Sequence, residues 1–157
     1  MIMENNNTIA CNITIGKSID IDTIAQFQMA MAMESEGTAL DADKVHKGVT
    51  AAINDSNKGT YLIAKIGDKA VGSLMLTREW SDWNNCWYWW VQSVYVLPQY
   101  RGKGIYRAMY AHVKQLAKEQ SITQVRLYVD KTNLRAQSVY NKLGMSECHY
   151  LMYEEEL

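Results

Sequence analysis

The sequence predicts an α/β protein with a mixed, mostly antiparallel central sheet of roughly 6–7 strands and about four helices on both faces. Short runs rich in β-branched and aromatic residues alternate with segments whose apolar residues recur every three or four positions, which is the helical period. One pair of strand runs is joined by a tight-turn dipeptide, which connects antiparallel neighbours. Other strand runs are separated by a helix, which connects parallel neighbours through a right-handed crossover.

Length and composition predict one soluble domain spanning residues 1–157, with a core of about residues 11–154. A chain of 157 residues can bury a sizeable core, and 48% apolar and 21% charged residues are ordinary for a globular protein. The formal net charge of −1 argues against nucleic acid as a partner bound through bulk electrostatics.

The cysteines, Cys11, Cys86 and Cys148, predict reduced thiols in a cytoplasmic protein. They are odd in number and far apart, and they form neither a disulfide framework nor a metal-ligand spacing. The N-terminus carries Glu4 and an asparagine run where a signal peptide would have a basic and then an apolar stretch, so no signal peptide is expected. The apolar runs are too short to cross a bilayer, and no membrane partner is expected.

The N-terminal half begins with a short strand at Asn12–Ile15, and two helices follow. From Asp20 apolar residues recur at helical spacing, and Gly37 can end this first helix. A second helix is expected from Asp43. The buried faces carry Ile21, Ile24, Phe27 and Met31 in the first helix and Val45, Val49 and Ile53 in the second.

Three strands are expected in the middle of the chain. Residues 61–66 and 70–76 flank the turn residues Gly67 and Asp68, which is the pattern of a β-hairpin. Residues 87–96 form a longer run rich in aromatic residues and valine, which favours a strand.

Helices and strands alternate in the C-terminal part. A third helix is expected from Ile105, and a short buried strand follows at residues 125–129. Asn133 is the expected N-cap of a fourth helix at residues 134–143. Residues 148–153 are expected to close the sheet as its last strand.

The segment 94–106 predicts an anion-binding site. A strand stops at Pro98, a basic turn with Gly102 and Gly104 follows, and a helical pattern then begins. The first N–H groups of a helix lack internal partners and the helix dipole favours negative charge there, so a diphosphate suits this place. The chain has no Gly-x4-Gly-Lys-Ser/Thr pattern, and Arg107 stands where a dinucleotide-binding fingerprint needs its third glycine.

Two motifs together resemble the GCN5-related N-acetyltransferases (GNAT). The first, Gln99-Tyr100-Arg101-Gly102-Lys103-Gly104, is similar to the family's Gln/Arg-x-x-Gly-x-Gly/Ala motif after a strand. The second, Asn133-x-x-Ala136-x-x-x-Tyr140-x-Lys142-Leu143-Gly144-Met145, lies downstream and is similar to the family's last helix. The segments EWSDW (79–83) and WWVQSVYV (89–96) look like a bacterial branch of the family.

The resemblance implies an acyltransferase that moves the acetyl group of acetyl-CoA directly to a primary amine of a small molecule, an amino acid or a peptide. Acetyl-CoA would be a cosubstrate, no metal would be required, and a homodimer would be compatible with the family. The donor would bind at Val94, Tyr95, Val96, Arg101, Gly102, Lys103, Gly104, Ile105, Tyr106, Asn133, Ala136 and Tyr140.

Tyr140 is the expected catalytic acid. Acetyl transfer expels a thiolate whose thiol has a pKa of about 8.5, and a phenol with a pKa of about 10 can deliver the proton. From the pattern alone, Tyr140 also fits an apolar core stripe of its helix with Ala136, Val139 and Leu143.

The acceptor amine is expected to meet carboxylates and aromatic side chains. An alkyl ammonium has a pKa of about 10.4 and must lose a proton before it attacks, so Glu79 and Glu34 are the candidate bases. The residues expected to bind the substrate are Glu34, Trp80, Asp82 and Trp83, because aromatic walls and carboxylates suit a cationic amine. Each of these carboxylates also fits a plain surface position.

Two other functions remain as hypotheses. A non-catalytic acyl-CoA-binding module or sensor would use the same donor motifs without transfer. A nucleotide-phosphate enzyme would use the glycine turn alone, although the turn lacks both established spacings.

Overall fold

Residues 8–157 are described by the computed structural model, and they form two compact units, residues 8–127 and residues 128–157. Residues 1–7 lie outside the described residues. The expectation that the chain has no signal peptide rests on this segment. Within residues 8–157 no helix has both the length and the apolar character needed to span a bilayer. The elements are β1 (Asn12–Ile15), α1 (Ile21–Glu36), α2 (Ala42–Asn54), β2 (Thr60–Ile66), β3 (Lys69–Ser81), β4 (Cys86–Val96), α3 (Ile105–Glu119) and β5 (Gln124–Arg126) in the first unit, and α4 (Leu134–Lys142) in the second.

The strands form one mixed sheet in the order β1-β2-β3-β4-β5. Neighbours are antiparallel except β4 and β5, which are parallel and are connected through α3. The mixed sheet and the helices confirm the predicted α/β class.

The predicted count of 6–7 strands is wrong for the described residues, whose sheet has five. The strand expected at residues 125–129 covers only Gln124–Arg126, and the strand expected at residues 148–153 does not form. Apolar residues mark a strand only where a neighbour supplies the ladder hydrogen bonds. Leu151 and Tyr153 are instead 71% and 88% exposed.

Helices cover both faces of the sheet. Side chains alternate along a strand, so Ser73, Thr77 and Glu79 of β3 point to one face. A side chain at the position of Gly72 would point to the other face. The first face, named here the helix-pair face, packs against α1 and α2. The second, the α3 face, packs against α3, because Ile105 Cγ2 lies 3.5 Å from the position of a Cβ at Gly72. The core on the helix-pair face consists of Ile24, Ala25, Val49, Ala52, Tyr61 and Ile63.

A β-bulge bends β4 in its second half. Leu74 of β3 faces two residues of β4, Ser93 and Val94, where regular pairing would place one. Ser93 adopts a φ of 54° at this bulge. The two strands also approach closely beside it, since a Cβ at Gly72 would lie 2.8 Å from the carbonyl oxygen of Tyr95. Only glycine fits there.

The second half of β4 has an open edge. β5 pairs only with residues 88–90 of β4 and then ends at Arg126, whereas β4 continues to Val96. Among the described residues no strand pairs with residues 91–96 on the β5 side. A row of backbone N–H and C=O groups therefore lacks a ladder partner there.

The outer edge of β3 is also open, over residues 77–81. β2 pairs with β3 only as far as Leu76, so the hairpin of β3 and β4 extends past β2. Arg78 and Trp80 are exposed on this stretch.

Candidate active site

The turn between β4 and α3 has the geometry that an anion site needs. Gly102 and Gly104 adopt φ values of 73° and 82°, which residues with a side chain rarely adopt. Gly104 is the N-cap of α3 and provides no capping side chain. Ile9 braces the turn by donating its N–H to the carbonyl oxygen of Lys103 at 3.0 Å. The first N–H groups of α3 therefore point into a basic turn, where an anion is favoured.

Two ammonium groups lie beside this turn. Lys69, at the start of β3, has its Nζ 5.4 Å from the centre of the Tyr100 ring, and the Nζ of Lys103 lies 5.7 Å from the same ring. The aromatic ring thus gathers two cations next to the helix N-terminus. Their charge adds to the attraction for an anion.

The end of β4 directs polar groups toward its open edge. Leu97 donates its N–H to the carbonyl oxygen of Val71 at 2.9 Å, which is the ladder bond next to the pair of Gly72 and Val96. A residue between such bonds directs its own N–H and C=O away from the partner strand. Val96 therefore offers both groups on the side away from β3. Its carbonyl oxygen already accepts a hydrogen bond from Arg101 Nε at 2.8 Å.

Glu34, close to the end of α1, joins this helix to β4 and to the glycine turn. The Tyr95 hydroxyl donates to Glu34 Oε1 at 2.8 Å, and Arg101 Nη2 donates to Glu34 Oε2 at 2.5 Å. The Arg101 guanidinium lies 5.4 Å from the centre of the Tyr95 ring, and Phe27 of α1 packs against that ring at 5.3 Å. One carboxylate therefore holds three elements together.

The protonation of this cluster follows from its contacts. The hydrogen bonds from Arg101 and then Tyr95 hold the pKa of the Glu34 carboxyl below its ordinary value. Burial, followed by the hydrogen bond to Glu34, raises the pKa of the Tyr95 hydroxyl. At neutral pH the cluster therefore consists of a carboxylate, a neutral phenol and a guanidinium.

Glu79 lies in a second polar cluster on the helix-pair face. Its carboxylate accepts hydrogen bonds from Arg126 Nη1 at 2.9 and 3.2 Å, and from Trp90 Nε1 at 2.5 Å. The guanidinium of Arg126 also lies 4.7 Å from the centre of the Tyr88 ring. The carboxylate is 37% exposed, so solvent still reaches it.

The two candidate bases lie on one face of the sheet but not together. Tyr95 holds Glu34 and Trp90 holds Glu79, and the bulge lies between these two residues of β4. At a rise of about 3.3 Å per residue, the two positions on β4 are roughly 13–17 Å apart. The carboxylates therefore belong to separate clusters, one beside the glycine turn and one beside β5.

Trp80, Asp82 and Trp83 lie at the far end of the hairpin. Trp80 follows Glu79 along the strand and so points to the opposite face, where its ring meets Trp87 edge-on at 5.0 Å. Asp82 and Trp83 lie in the turn after β3, and Trp83 is 89% exposed. The structure does not bring Trp80 together with Glu79.

The second unit carries the remaining predicted site residues on α4. Asn133 accepts a hydrogen bond from the N–H of Ala136 through Oδ1 at 3.0 Å, which confirms the predicted N-cap. Burial raises the pKa of the Tyr140 phenol above its ordinary value, so this group is protonated at neutral pH. It is thus in the state that a proton donor needs.

The sequence prediction does not include Arg126, Gln92 or the Tyr95 hydroxyl as members of these clusters. Gln92 Nε2 donates to Thr77 Oγ1 at 2.7 Å on the helix-pair face. Two signals could have found such residues. A charged residue within a short apolar strand needs a partner, and a buried tyrosine needs an acceptor for its O–H.

Chemically, these groups provide a turn suited to an anion, an open strand edge and two carboxylates that are held in place. In residues 8–157 no group of at least three His, Cys, Asp or Glu side chains is arranged to hold a metal ion. The carboxylates are instead bound by arginines.

Comparison with known proteins finds acetyltransferases. The model of the family described as "Acetyltransferase (GNAT) family" matches residues 24–145. The solved structure of a possible acetyltransferase from Clostridium difficile 630 is 42% identical to this chain, with a TM-score of 0.88. The match covers 95% of this chain and 99% of that chain.

More distant solved structures share the fold. The ribosomal-protein-alanine N-acetyltransferase from Brucella melitensis biovar Abortus 2308 is 17% identical, with a TM-score of 0.78 and coverage of 94% of this chain and 99% of that chain. A "predicted acetyltransferase with acetyl-CoA" from Clostridium acetobutylicum is 16% identical, with a TM-score of 0.76 and coverage of 93% and 96%.

Proposed function

We propose that this chain, which belongs to the acetyltransferase (GNAT) family, transfers the acetyl group of acetyl-CoA to a primary amine of a small molecule, an amino acid or a peptide. The observation that carries the proposal is the open edge of β4 at residues 91–96, which leads into the glycine turn at the start of α3. An open strand edge suits an extended chain with amide groups, and a helix N-terminus suits a diphosphate. Acetyl-CoA carries both, joined in one molecule.

The donor would bind mainly through backbone groups. We assign the pantetheine arm to the main chain of Val94 and Val96 and the diphosphate to the turn from Gly102 to Tyr106. Lys103 adds a positive charge beside this turn. Asn133 and Ala136 remain assigned to the donor through the family motif alone.

The proposed reaction is a direct transfer. The amine nitrogen attacks the thioester carbonyl carbon, so a C–N bond forms and the C–S bond breaks. The electron pair of the broken bond goes to the sulfur, and the excess proton of the amine goes to a base. A backbone N–H of β4 near Val94 would stabilise the developing oxyanion.

Tyr140 keeps the role that the family motif implies, which is to donate its O–H proton to the leaving sulfur. Burial raises the pKa of this phenol, so it holds its proton at neutral pH, which a donor requires, although the higher pKa also makes it a weaker acid. Solvent would return the proton to the phenolate after each turnover.

Of the two carboxylates, we propose Glu79 as the group that attracts the ammonium and accepts its proton, directly or through water. A base weakens as its pKa falls, and the pKa of Glu34 is lowered by Arg101 and Tyr95. An amine can approach either carboxylate, because Glu79 is 37% and Glu34 is 41% exposed. Substrate binding by Trp80, Asp82 and Trp83, a cytoplasmic location and a homodimer stay predictions.

The alternative is a non-catalytic acyl-CoA-binding module. The engagement of both carboxylates by arginines favours it, because neither is a free base. In this alternative the donor site binds acyl-CoA, but no acetyl group is transferred.

The test is a panel of primary amines, with free amino acids, polyamines, aminoglycosides and peptide N-termini, incubated with the protein and acetyl-CoA. We expect release of free thiol that depends on at least one amine, with an acetylated product of the corresponding mass. Acetyl-CoA without any amine is the control for hydrolysis. Binding of acetyl-CoA without release by any amine would support the module, and absence of binding would contradict both functions.

A further inference from the structure

We propose that Arg101 and Glu34 act as a linked pair of positioning residues for acetyl-CoA, and that the charge of Arg101 is not used on the diphosphate. The link fixes the glycine turn and the end of β4 against α1. This inference rests on the proposed function, because it concerns how the donor is held.

The hydrogen bonds of Arg101 argue against a role as a phosphate ligand. Its Nε donates to the carbonyl oxygen of Val96 and its Nη2 donates to Glu34, while the guanidinium faces the ring of Tyr95. A phosphate would have to compete with a carboxylate that is already ionised and in contact. The pair is partly exposed, at 35% for Arg101 and 41% for Glu34, so its position depends also on the hydrogen bonds of Arg101 to Val96 and of Tyr95 to Glu34.

The bond to Val96 also sets the length of the donor-binding edge. The carbonyl of Val96 points away from β3, in the direction where an added chain would pair. Arg101 already donates to this carbonyl and leaves it one acceptor position, so we assign the end of backbone pairing by the pantetheine arm to Val96 and the diphosphate to the turn that follows. Arg101 thereby fixes the register between the two parts of the donor.

Lys103 is then the side chain of this motif that supplies charge to the turn, beside that of Lys69. Its ammonium lies near the ring of Tyr100, and no carboxylate within residues 8–157 forms an ion pair with it. The two basic residues of one motif thus have different tasks: Lys103 attracts the anion, and Arg101 shapes its site.

The direction in which Glu34→Gln changes the Kd for acetyl-CoA distinguishes the two roles that Arg101 could have, binding of the diphosphate and positioning of the turn. If Arg101 bound the diphosphate, removal of the competing carboxylate would free its charge and tighten acetyl-CoA binding. If the pair positions the turn, the same substitution weakens binding, and we expect at least about a fivefold higher Kd in calorimetry. Glu36→Gln is the matched control, because it removes an exposed carboxylate of the same helix and should leave Kd unchanged.

Substitutions at position 101 give a second, independent readout. Arg101→Lys keeps the charge, but one ammonium cannot reproduce the fork that reaches both Val96 and Glu34, so it should weaken binding as Arg101→Gln does. The slope of log Kd against log salt concentration should stay unchanged in Arg101→Gln and become smaller in Lys103→Gln, since Lys103 meets the phosphate charge and Arg101 does not. Equal loss of slope in both variants would overturn the proposal.

Tyr95→Phe is a milder substitution in the same cluster, and it keeps the test possible if Glu34→Gln fails to fold. It removes one hydrogen bond to Glu34 and keeps the ion pair, so a smaller weakening in the same direction is expected. If the wild-type protein binds and turns over acetyl-CoA while Glu34→Gln binds it more tightly, the positioning role is wrong and the proposed function stands. If the wild-type protein does not bind acetyl-CoA, both are wrong.

Discussion

At the scale of single residues, Gly104 shows how strictly the glycine turn is determined. Its φ of 82° is costly for any residue with a side chain, and an added Cβ would lie 2.9 Å from Thr8 Cγ2. We expect Gly104→Ala to lower the free energy of unfolding by about 1–2 kcal/mol and to weaken acetyl-CoA binding, because the N–H groups of α3 shift. Gly67→Ala, at a φ of 57° in the turn between β2 and β3, is the control. Denaturant unfolding and calorimetry should show loss of stability in both variants and loss of binding only in Gly104→Ala.

Tyr140 is tested by removal of its hydroxyl alone. We expect Tyr140→Phe to lower kcat by about 10²-fold or more, because general-acid assistance to the leaving thiolate is lost. The KM for acetyl-CoA should change little. Tyr153→Phe removes the hydroxyl of an 88% exposed tyrosine in the same unit and should leave kcat unaltered. Equal rates in the Tyr140 variant and the wild type would remove the residue from the mechanism.

The Glu34 cluster predicts a dependence of stability on pH. The pKa of Glu34 is lower in the folded protein than in the unfolded chain, so the folded state favours the carboxylate. The stabilisation is complete above the unfolded pKa of about 4.3, and it disappears as the pH falls through the lower folded pKa. Thermal melts should therefore show a difference between wild type and Glu34→Gln at pH 6 that shrinks below pH 4. A difference that grows in acid would contradict this assignment.

The sequence predicts which residues belong to the candidate site better than it predicts the contacts that their side chains make. The glycine turn, its position before a helix and the Asn133 cap follow from local patterns. The attachment of Arg101 to Glu34 could not be predicted, because the two residues are 67 positions apart and meet only through the packing of α1 on β4. A basic side chain next to such a glycine turn is expected to bind the anion. Only the fold shows that Arg101 is already bound to a carboxylate, that of Glu34.

At the scale of elements, α2 contains a residue that its own helix does not need. Gly48 is exposed in the middle of this helix, and an added Cβ would meet no atom within 4 Å. Since glycine destabilises a helix interior relative to alanine, Gly48→Ala should raise the free energy of unfolding by about 0.5–1 kcal/mol. Denaturant unfolding measures this gain, and acetyl-CoA binding serves as the control that the site is unchanged. A loss of stability would show that the exposed face of α2 has a partner.

The ends of the strands illustrate what local patterns omit. The hairpin of β2 and β3 and the long run of β4 follow from turn residues and β-branched side chains. The early end of β5 at Arg126 depends on its pairing with β4, and the bulge at Ser93 depends on the pairing of β4 with β3. No local pattern encodes either pairing. The same cause explains why residues 148–153, although apolar, form no strand. The open edge of β4 arises from this difference in strand length.

At the scale of the whole molecule, a donor that binds only the folded state must stabilise it. At a concentration of 100 times Kd, acetyl-CoA should raise the free energy of unfolding by about 2.7 kcal/mol. ATP and NAD are the controls, because they carry phosphates but no pantetheine arm to pair with β4. Stabilisation by ATP or NAD and not by CoA would favour a nucleotide enzyme. One cooperative transition for residues 1–157 would also support the predicted single domain.

The outer edge of β3 has a consequence for association between molecules. Residues 77–81 leave a row of backbone groups that another chain could use as a template for aggregation. Arg78 and Glu79 place opposite charges on the two faces of this stretch, and an approaching strand would have to remove water from both. The carboxylate that we propose as the base therefore also helps to keep separate molecules apart. Any substitution that changes the chemistry at Glu79 acts on colloidal behaviour as well, so loss of activity and loss of monodispersity must be measured separately.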